Sequence, residues 1–391
     1  MRCPVKDPRR VLVTLCCVLP MVAGAASDSA SDPASDPIDR VAGHDRVIHS
    51  TVLEQDRPFS VLLPFGYHAS VRRYPVLYVL DGGAYDAYAA ATAGLLAFQG
   101  EIPPLIVVGI PSLQRSRDLS PFPLPDIPGT GGGGRFLAFL RDELKPFVDA
   151  HYRTLGLDIL FGHSLGGSFA VHALFTDPDL FRAVLAVSPA LYSDRGRMLR
   201  GYEAALADGL SFTAGYLYMA VGDEIAYPES LEFLTDKLET HPPDGLRWES
   251  HVFAEERHGS IVLRTLAPSL RSLFEAWPIP IADLEAGFET VTRHYDGVSE
   301  SLGCYFPVPE ELANRLGYRA LADGDLSRAE TIFTYNVRTY PASANVHDSL
   351  GELFLEKSDT DRALELYRRA LELDPGNGNA GMMIERILAR D

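Results

Sequence analysis

Cysteine is scarce and badly placed for cross-linking. Three of the four, Cys3, Cys16 and Cys17, fall within the first 25 residues, and Cys304 stands alone beyond them. Removal of that first segment would leave no intramolecular disulfide to form, so the fold must rest on its core. Cationic side chains are also short, 35 Lys and Arg against 53 Asp and Glu, for a formal net charge of −18. Such a surface is a poor partner for nucleic acid and other polyanions. Long apolar runs are missing as well: the run at residues 11–23 is well short of the ~20 residues a spanning helix needs. A polar Ser/Asp/Ala/Pro stretch follows it, and no stable membrane insertion is expected.

What the N-terminus does have is Arg2, Lys6, Arg9 and Arg10, then the apolar run, then Ala23-Gly24-Ala25. That order predicts a secretory signal peptide over 1–25 and an exported protein, periplasmic or extracellular. Leu15 and Cys16 before Cys17 do not suit a lipidation site. Residues 26–45 read as a flexible polar leader, with structure beginning near Val47. The 391 residues, 46% of them hydrophobic, leave room for one large domain and a smaller one.

From there "VIHSTVL" and "FSVLLP" read as two strands joined by a turn at 54–57. "PVLYVLDGG", "PLIVVGI", "LDILFGHS", "AVLAVSP" and "GYLYMAVGDE" are short, nearly continuous apolar runs with helical-period segments between them. Strands buried on both faces and alternating with helices predict an α/β fold, a mostly parallel sheet flanked by helices, over 46–278. "LRWESHVF" supplies a late strand. Residues 279–309 form a bridging segment.

From 310 to 391 the pattern changes. Leu316-Gly317 recurs as Leu350-Gly351, Ala329 as Ala363, Phe333 as Tyr367 and Pro341 as Pro375, all offset by 34 residues. That is the period and anchor set of tetratricopeptide repeats, so a small all-α domain of two repeats and a last helix at 380–389 is expected. So few units need a neighbour, either the first domain or another chain.

Gly162-His163-Ser164-Leu165-Gly166 is a G-x-S-x-G placed after a buried strand and before a helix. A serine on that sharp turn is held in strained geometry at the head of the sheet, which predicts Ser164 as a nucleophile. A hydroxyl needs a base, and among eleven histidines His258 follows the last strand and precedes a helix. His251 reads as inside a strand, His294 as beyond the sheet, and His163 as packing beside the serine. The acid orienting the base should follow "YLYMAVG": Glu224 is the first choice, Asp223 the alternate, and Glu229 a more distant competitor. An oxyanion would be met by the N–H groups of Leu165 and Gly83. "GTGGGGR" lacks the Gly-Lys-Ser/Thr of a phosphate loop and reads as a mobile rim. In "RSRDLSPF", Arg115 and Arg117 read first as partners of Asp118 and second as substrate contacts. Neither metal nor organic cofactor is called for.

"YPVLYVLDGG", "RSRDLSPF", "FLRDELKPFVDAHYRT", "GHSLGG", "VSPALYS", "YMAVGDE" and "HGS" together resemble the esterase family of enterobactin-type siderophore esterases, feruloyl esterases, S-formylglutathione hydrolases and mycolyltransferases. The resemblance spans about residues 50–278, and a similar subgroup appends tetratricopeptide repeats. It implies an α/β-hydrolase fold, Ser164 as nucleophile, His258 as base, and Leu165 and Gly83 as oxyanion donors. The expected activity is that of an exported serine carboxylesterase working on a small-molecule or acyl ester. A catalytically silent scaffold that binds a partner through the repeats, and an acyltransferase or peptidase with the same triad, are the alternatives. The repeats imply a protein partner or a homodimer.

Overall fold

A computed structural model describes residues 43–124, 127–192, 195–224 and 227–389. The expected signal segment 1–25 and most of the leader 26–45 lie outside the described residues. Strand β1 (Gly43–Ser50) pairs antiparallel with β2 (Gln55–Leu62). Their turn falls at 51–54, earlier than the expected 54–57, and β1 starts before Val47. The cause is remote in sequence: the Glu143 carboxylate accepts from the N–H groups of Thr51 at 2.8 Å and Val52 at 3.1 Å and from the Thr51 hydroxyl at 2.5 Å. Glu54, with φ 57°, completes the turn.

The remaining strands are β3 (Tyr74–Leu80), β4 (Ile106–Ile110), β5 (Thr154–His163), β6 (Ala183–Val187), β7 (Gly215–Gly222) and β8 (Leu246–Phe253). They form one sheet in the order β1-β2-β4-β3-β5-β6-β7-β8. β2 runs antiparallel to β4, and from β4 to β8 every pairing is parallel. Every residue of β3, β4, β6 and β7 is buried, which is why these strands read as unbroken apolar runs.

Helices cover both faces. On one lie α1 (Asp86–Phe98) and, later in the chain, α8 (Ile261–Leu273). On the other lie α3 (Gly133–Phe139), α4 (Lys145–His151), α5 (Leu165–Thr176), α6 (Arg197–Ala207) and α7 (Tyr227–Thr240). The short α2 (Arg115–Asp118) leads into this group. A π-helical turn, Leu140–Leu144, joins α3 to α4. The mixed α/β arrangement fits an α/β hydrolase.

Beyond α8 the chain is helical: α9 (Ile281–Ala286), α10 (Phe288–Leu302), α11 (Glu310–Ala322), α12 (Leu326–Thr339), α13 (Ala344–Glu356), α14 (Thr360–Leu373) and α15 (Gly378–Leu388). The bridging segment is thus mostly α9 and α10. Trp277 meets Tyr295 of α10 and Phe306 edge-on, with ring centroids 5.4 and 5.6 Å apart. The apolar layer containing α1 and α8 continues without a break through Val298, Leu302 and Val308 into α11–α15. The C-terminal helices therefore share a core with the sheet.

The pairs α11/α12 and α13/α14 repeat one contact. A methyl group on Gly317 would come within 2.4 Å of the Phe333 ring, and one on Gly351 within 3.1 Å of the Tyr367 ring. Phe333 and Tyr367 are fully buried and cannot swing aside. Gly317→Ala is expected to cost about 1–3 kcal/mol of stability by overpacking, and Gly351→Ala less. Guanidinium unfolding of the two variants against the wild type checks that ranking.

Candidate active site

Gly162 is the last residue but one of β5, and its Cα lies where any Cβ would strike Gly166 of α5, 2.2 Å from the carbonyl oxygen. Strand and helix can cross this closely only because position 162 has no side chain. The residue between them, Ser164, is forced to φ 59° and ψ −119°, a backbone state a serine adopts only when its surroundings over-determine it. Here they do: the Ser164 N–H donates to the Val187 carbonyl at 2.9 Å, and its own carbonyl accepts from Ser168 N–H at 3.0 Å and Ala190 N–H at 3.3 Å. Leu165 is the first residue of α5, where backbone N–H groups have no partner within the helix.

Gly83 follows β3, the strand next to β5, at the same end of the sheet. Its φ of 89° suits glycine, and nothing lies within 4 Å of where a Cβ would stand, so its backbone faces open space. The preceding Asp81 is held by a two-pronged ion pair, Arg115 Nε to Oδ1 and Nη2 to Oδ2, both 2.9 Å, and by the Ser112 hydroxyl at 2.6 Å. Arg115 also donates to the His163 carbonyl at 3.3 Å, joining the loop after β3 to the residue before Ser164.

His258 lies on the loop between β8 and α8. Its Nδ1 is hydrogen-bonded to Oε2 of Glu224, whose other oxygen accepts from the Ser188 hydroxyl at 2.5 Å and from Gly222 N–H at 3.2 Å. Burial opposes the charge on Glu224, but the bonds from Ser188, His258 and Gly222 outweigh it and hold the carboxyl below its usual range. Asp223 is exposed, and its backbone N–H donates to the Glu256 carbonyl at 2.7 Å. Of the three acids weighed from sequence, the structure brings Glu224 to His258. Glu229 lies within α7. His251 is in β8, bonded to Glu249 at 2.8 Å, and His294 is in α10, so neither joins the group.

Several participants were not visible in the sequence. Ser188, with φ 43° after β6, holds Glu224. Tyr227, at the start of α7, sets its ring against His258 with centroids 5.3 Å apart. Tyr192 packs edge-on to Tyr227 at 5.0 Å. No spacing rule marks these residues; only the tertiary fold gathers them.

Two sequence expectations need correction. Arg117 does pair with Asp118, at 2.7 Å, but Arg115 pairs with Asp81, because α2 turns its side chain toward the loop after β3. Asp118 is instead completed by Arg57 of β2 at 2.8 Å, both side chains 1% exposed, with Arg57 stacked over Phe136 and Phe139. The glycine-rich stretch is pinned rather than a mobile rim: Gly132 N–H donates to the Arg117 carbonyl at 2.9 Å and Gly133 N–H to that of Ser120 at 3.0 Å. Among the described residues no group of His, Cys, Asp and Glu could hold a metal ion, and no helix is long and apolar enough to cross a membrane.

Residues 50–235 match the family model described as "Putative esterase". The siderophore triacetylfusarinine C esterase of Aspergillus fumigatus is 32% identical over 163 residues, 36% of this chain and 54% of that one. The siderophore enterobactin esterase of Emericella nidulans is 29% identical over 199 residues, 44% of this chain and 64% of that one. An IroE-like serine hydrolase from Shewanella oneidensis has a TM-score of 0.69 and 29% identity, over 76% of this chain and 100% of that one. Over about half of its length the chain is thus similar to ester hydrolases, and over a larger share its fold is similar to that of a serine hydrolase. The chain spans between 51% and 64% of the length of the curated relatives it matches.

The Arg57–Asp118 pair ties β2 to α2, so that pair is a test of the scaffold. Asp118→Ala strands a buried guanidinium and is expected to cost about 3–5 kcal/mol, while a paired Arg57→Met/Asp118→Leu variant recovers much of the loss. Urea unfolding of the single and double variants measures both.

Proposed function

We propose that the chain hydrolyses carboxylic esters through an acyl-enzyme on Ser164. The observation that carries this reading is the contact of Glu224 with Nδ1 of His258, beside a serine held in a strained strand-to-helix turn. A carboxylate can only accept, so Nδ1 keeps its proton and Nε2 is the nitrogen left to take one. In the proposed cycle His258 Nε2 removes the Ser164 proton as Oγ bonds to the ester carbon. The tetrahedral oxyanion is met by the N–H groups of Gly83 and Leu165. The ester C–O bond then breaks, and His258 returns its proton to the leaving alkoxide. Water, deprotonated by the same nitrogen, attacks the acyl-enzyme, releasing the acid and restoring Ser164.

The siderophore esterases among its relatives put ester-linked iron chelators first among natural substrates to try. The C-terminal helices support tetratricopeptide repeats: Asp325 and Asp359, 34 residues apart, cap α12 and α14 by accepting from the N–H groups of Arg328 and Arg362. We assign them a docking role, for a protein partner or a second copy. The basic-then-apolar N-terminus with its small-residue site supports export, and mass spectrometry of the protein recovered from cells should find a chain starting near residue 26.

Hydrolysis of p-nitrophenyl acyl esters of increasing chain length tests the chemistry. Ser164→Ala and His258→Ala are expected to lower kcat by at least about 10³-fold, and Glu224→Gln by roughly 10²–10⁴-fold. Asp223→Asn should stay near wild type. Fluorophosphonate labelling of wild type but not of Ser164→Ala gives an independent readout. A wild type that neither turns over an ester nor takes the label would leave the silent-scaffold alternative standing, and acyl transfer to an added alcohol in preference to water would make it a transferase.

A further inference from the structure

The residue immediately before Ser164 is aimed at the loop that carries His258. His163 is buried at the end of β5, and its Nε2 lies 2.7 Å from the backbone carbonyl of His258. A carbonyl has no proton to give, so Nε2 must be the protonated nitrogen. On the other side of the ring, Nδ1 lies 3.0 Å from the hydroxyl of Tyr85. With a neutral ring the chain of donors is then fixed: Tyr85 O–H to Nδ1, and Nε2–H to the His258 carbonyl. The two imidazoles also pack against each other, with centroids 4.6 Å apart and planes inclined by 44°.

We infer that His163 is a positioning residue that fixes the backbone of His258 relative to Ser164. The inference rests on the acyl-enzyme reading above. β5 and β8 are separated in the sheet by β6 and β7, and the loop from 254 to 260 is largely exposed. Along the sheet, an error in the placement of the base would accumulate over three strand pairings. The bond from His163 bypasses them, since one dipeptide, His163-Ser164, carries both the nucleophile and the anchor of the base. Glu224 holds the His258 side chain, and the loop's other backbone bonds, among them Asp223 N–H to the Glu256 carbonyl and Ser260 N–H to that of Arg257, act at different residues.

Charge matters as much as reach. In the proposed cycle His258 becomes a cation after each proton transfer, and a second cation stacked on it would oppose that step. Burial, and next the neighbouring His258, push the His163 pKa down to about 4, so it can donate a hydrogen bond while staying neutral. Arg115 and Asp81 also face it, largely as a mutually paired couple. A lysine or arginine could supply the same donor here only as a charge.

The test compares wild type, Ser164→Ala, His163→Leu, His163→Gln and Tyr85→Phe on p-nitrophenyl acetate, with thermal unfolding and the pH dependence of kcat/KM for each. His163→Leu is expected to lower kcat about 10–100-fold with KM within about threefold, and to shift the acid limb of the profile. His163→Gln, which keeps a neutral N–H donor, should recover most of kcat, and Tyr85→Phe should cost less than His163→Leu and nothing further when combined with it. Wild type as inert as Ser164→Ala overturns the ester-hydrolase reading itself. An active wild type with His163→Leu equally active, or with His163→Gln and Tyr85→Phe failing in proportion to lost melting temperature alone, overturns the positioning role. If His163→Leu does not fold, His163→Gln and Tyr85→Phe decide the matter by the same criteria.

Discussion

The close crossing of β5 and α5 at Gly162 and Gly166 is the constraint on which the rest of the site depends. Bringing two backbones within contact distance leaves the intervening serine no relaxed conformation, and the strain is sustained because β5 is buried on both faces of the sheet and α5 is locked into the apolar layer on one of them. Residues of α5 from Gly166 to Val171 are all buried, so the helix cannot retreat to relieve the serine. The same geometry puts the positive end of the α5 dipole beneath Ser164, where negative charge would develop in acyl transfer.

Around that crossing, charged groups are arranged as a relay of paired contacts rather than as a field. Arg57 holds Asp118, α2 carries Arg115 to Asp81, and Arg115 reaches the carbonyl of His163. Each cation is matched to a carboxylate inside the fold. The acidity of the whole chain therefore resides elsewhere, on the outer surface. A net charge of −18 says little about the site's own electrostatics, which are set by these local pairs and by the hydrogen bonds that keep Glu224 ionised.

Much of this was readable from sequence because its causes are local. Apolar runs located β3 to β7, "LRWESHVF" coincides with β8, and the glycines around Ser164 marked the crossing. The order of strand, acid and histidine pointed to Glu224 and His258, which the structure brings into contact, but the choice between Glu224 and Asp223 needed the side-chain directions of a turn. What escaped was set by partners far along the chain. Glu143 fixes the turn after β1 from 92 residues away, Arg57 takes Asp118 from 61 residues away, and Tyr85 meets His163 across 78. Periodicity carries no information about such pairings. The bridging segment was opaque for a related reason: α10 is amphipathic in the ordinary way, and only the sheet shows what its apolar side covers.

The unbroken core between sheet and C-terminal helices has a consequence for how the molecule is made. Synthesis delivers β1 to α8 first, with the apolar side near Leu273, Phe274 and Trp277 still uncovered, because Tyr295, Leu302 and Phe306 come later in the chain. At about 5–20 residues per second, the hundred or so residues that follow take roughly 5–20 s to emerge. For that interval the nascent sheet carries a hydrophobic wound that its own sequence will eventually dress. Whatever receives the chain as it is made must tolerate or shield it, so the C-terminal helices act late in biogenesis as the closing piece of the first-made domain.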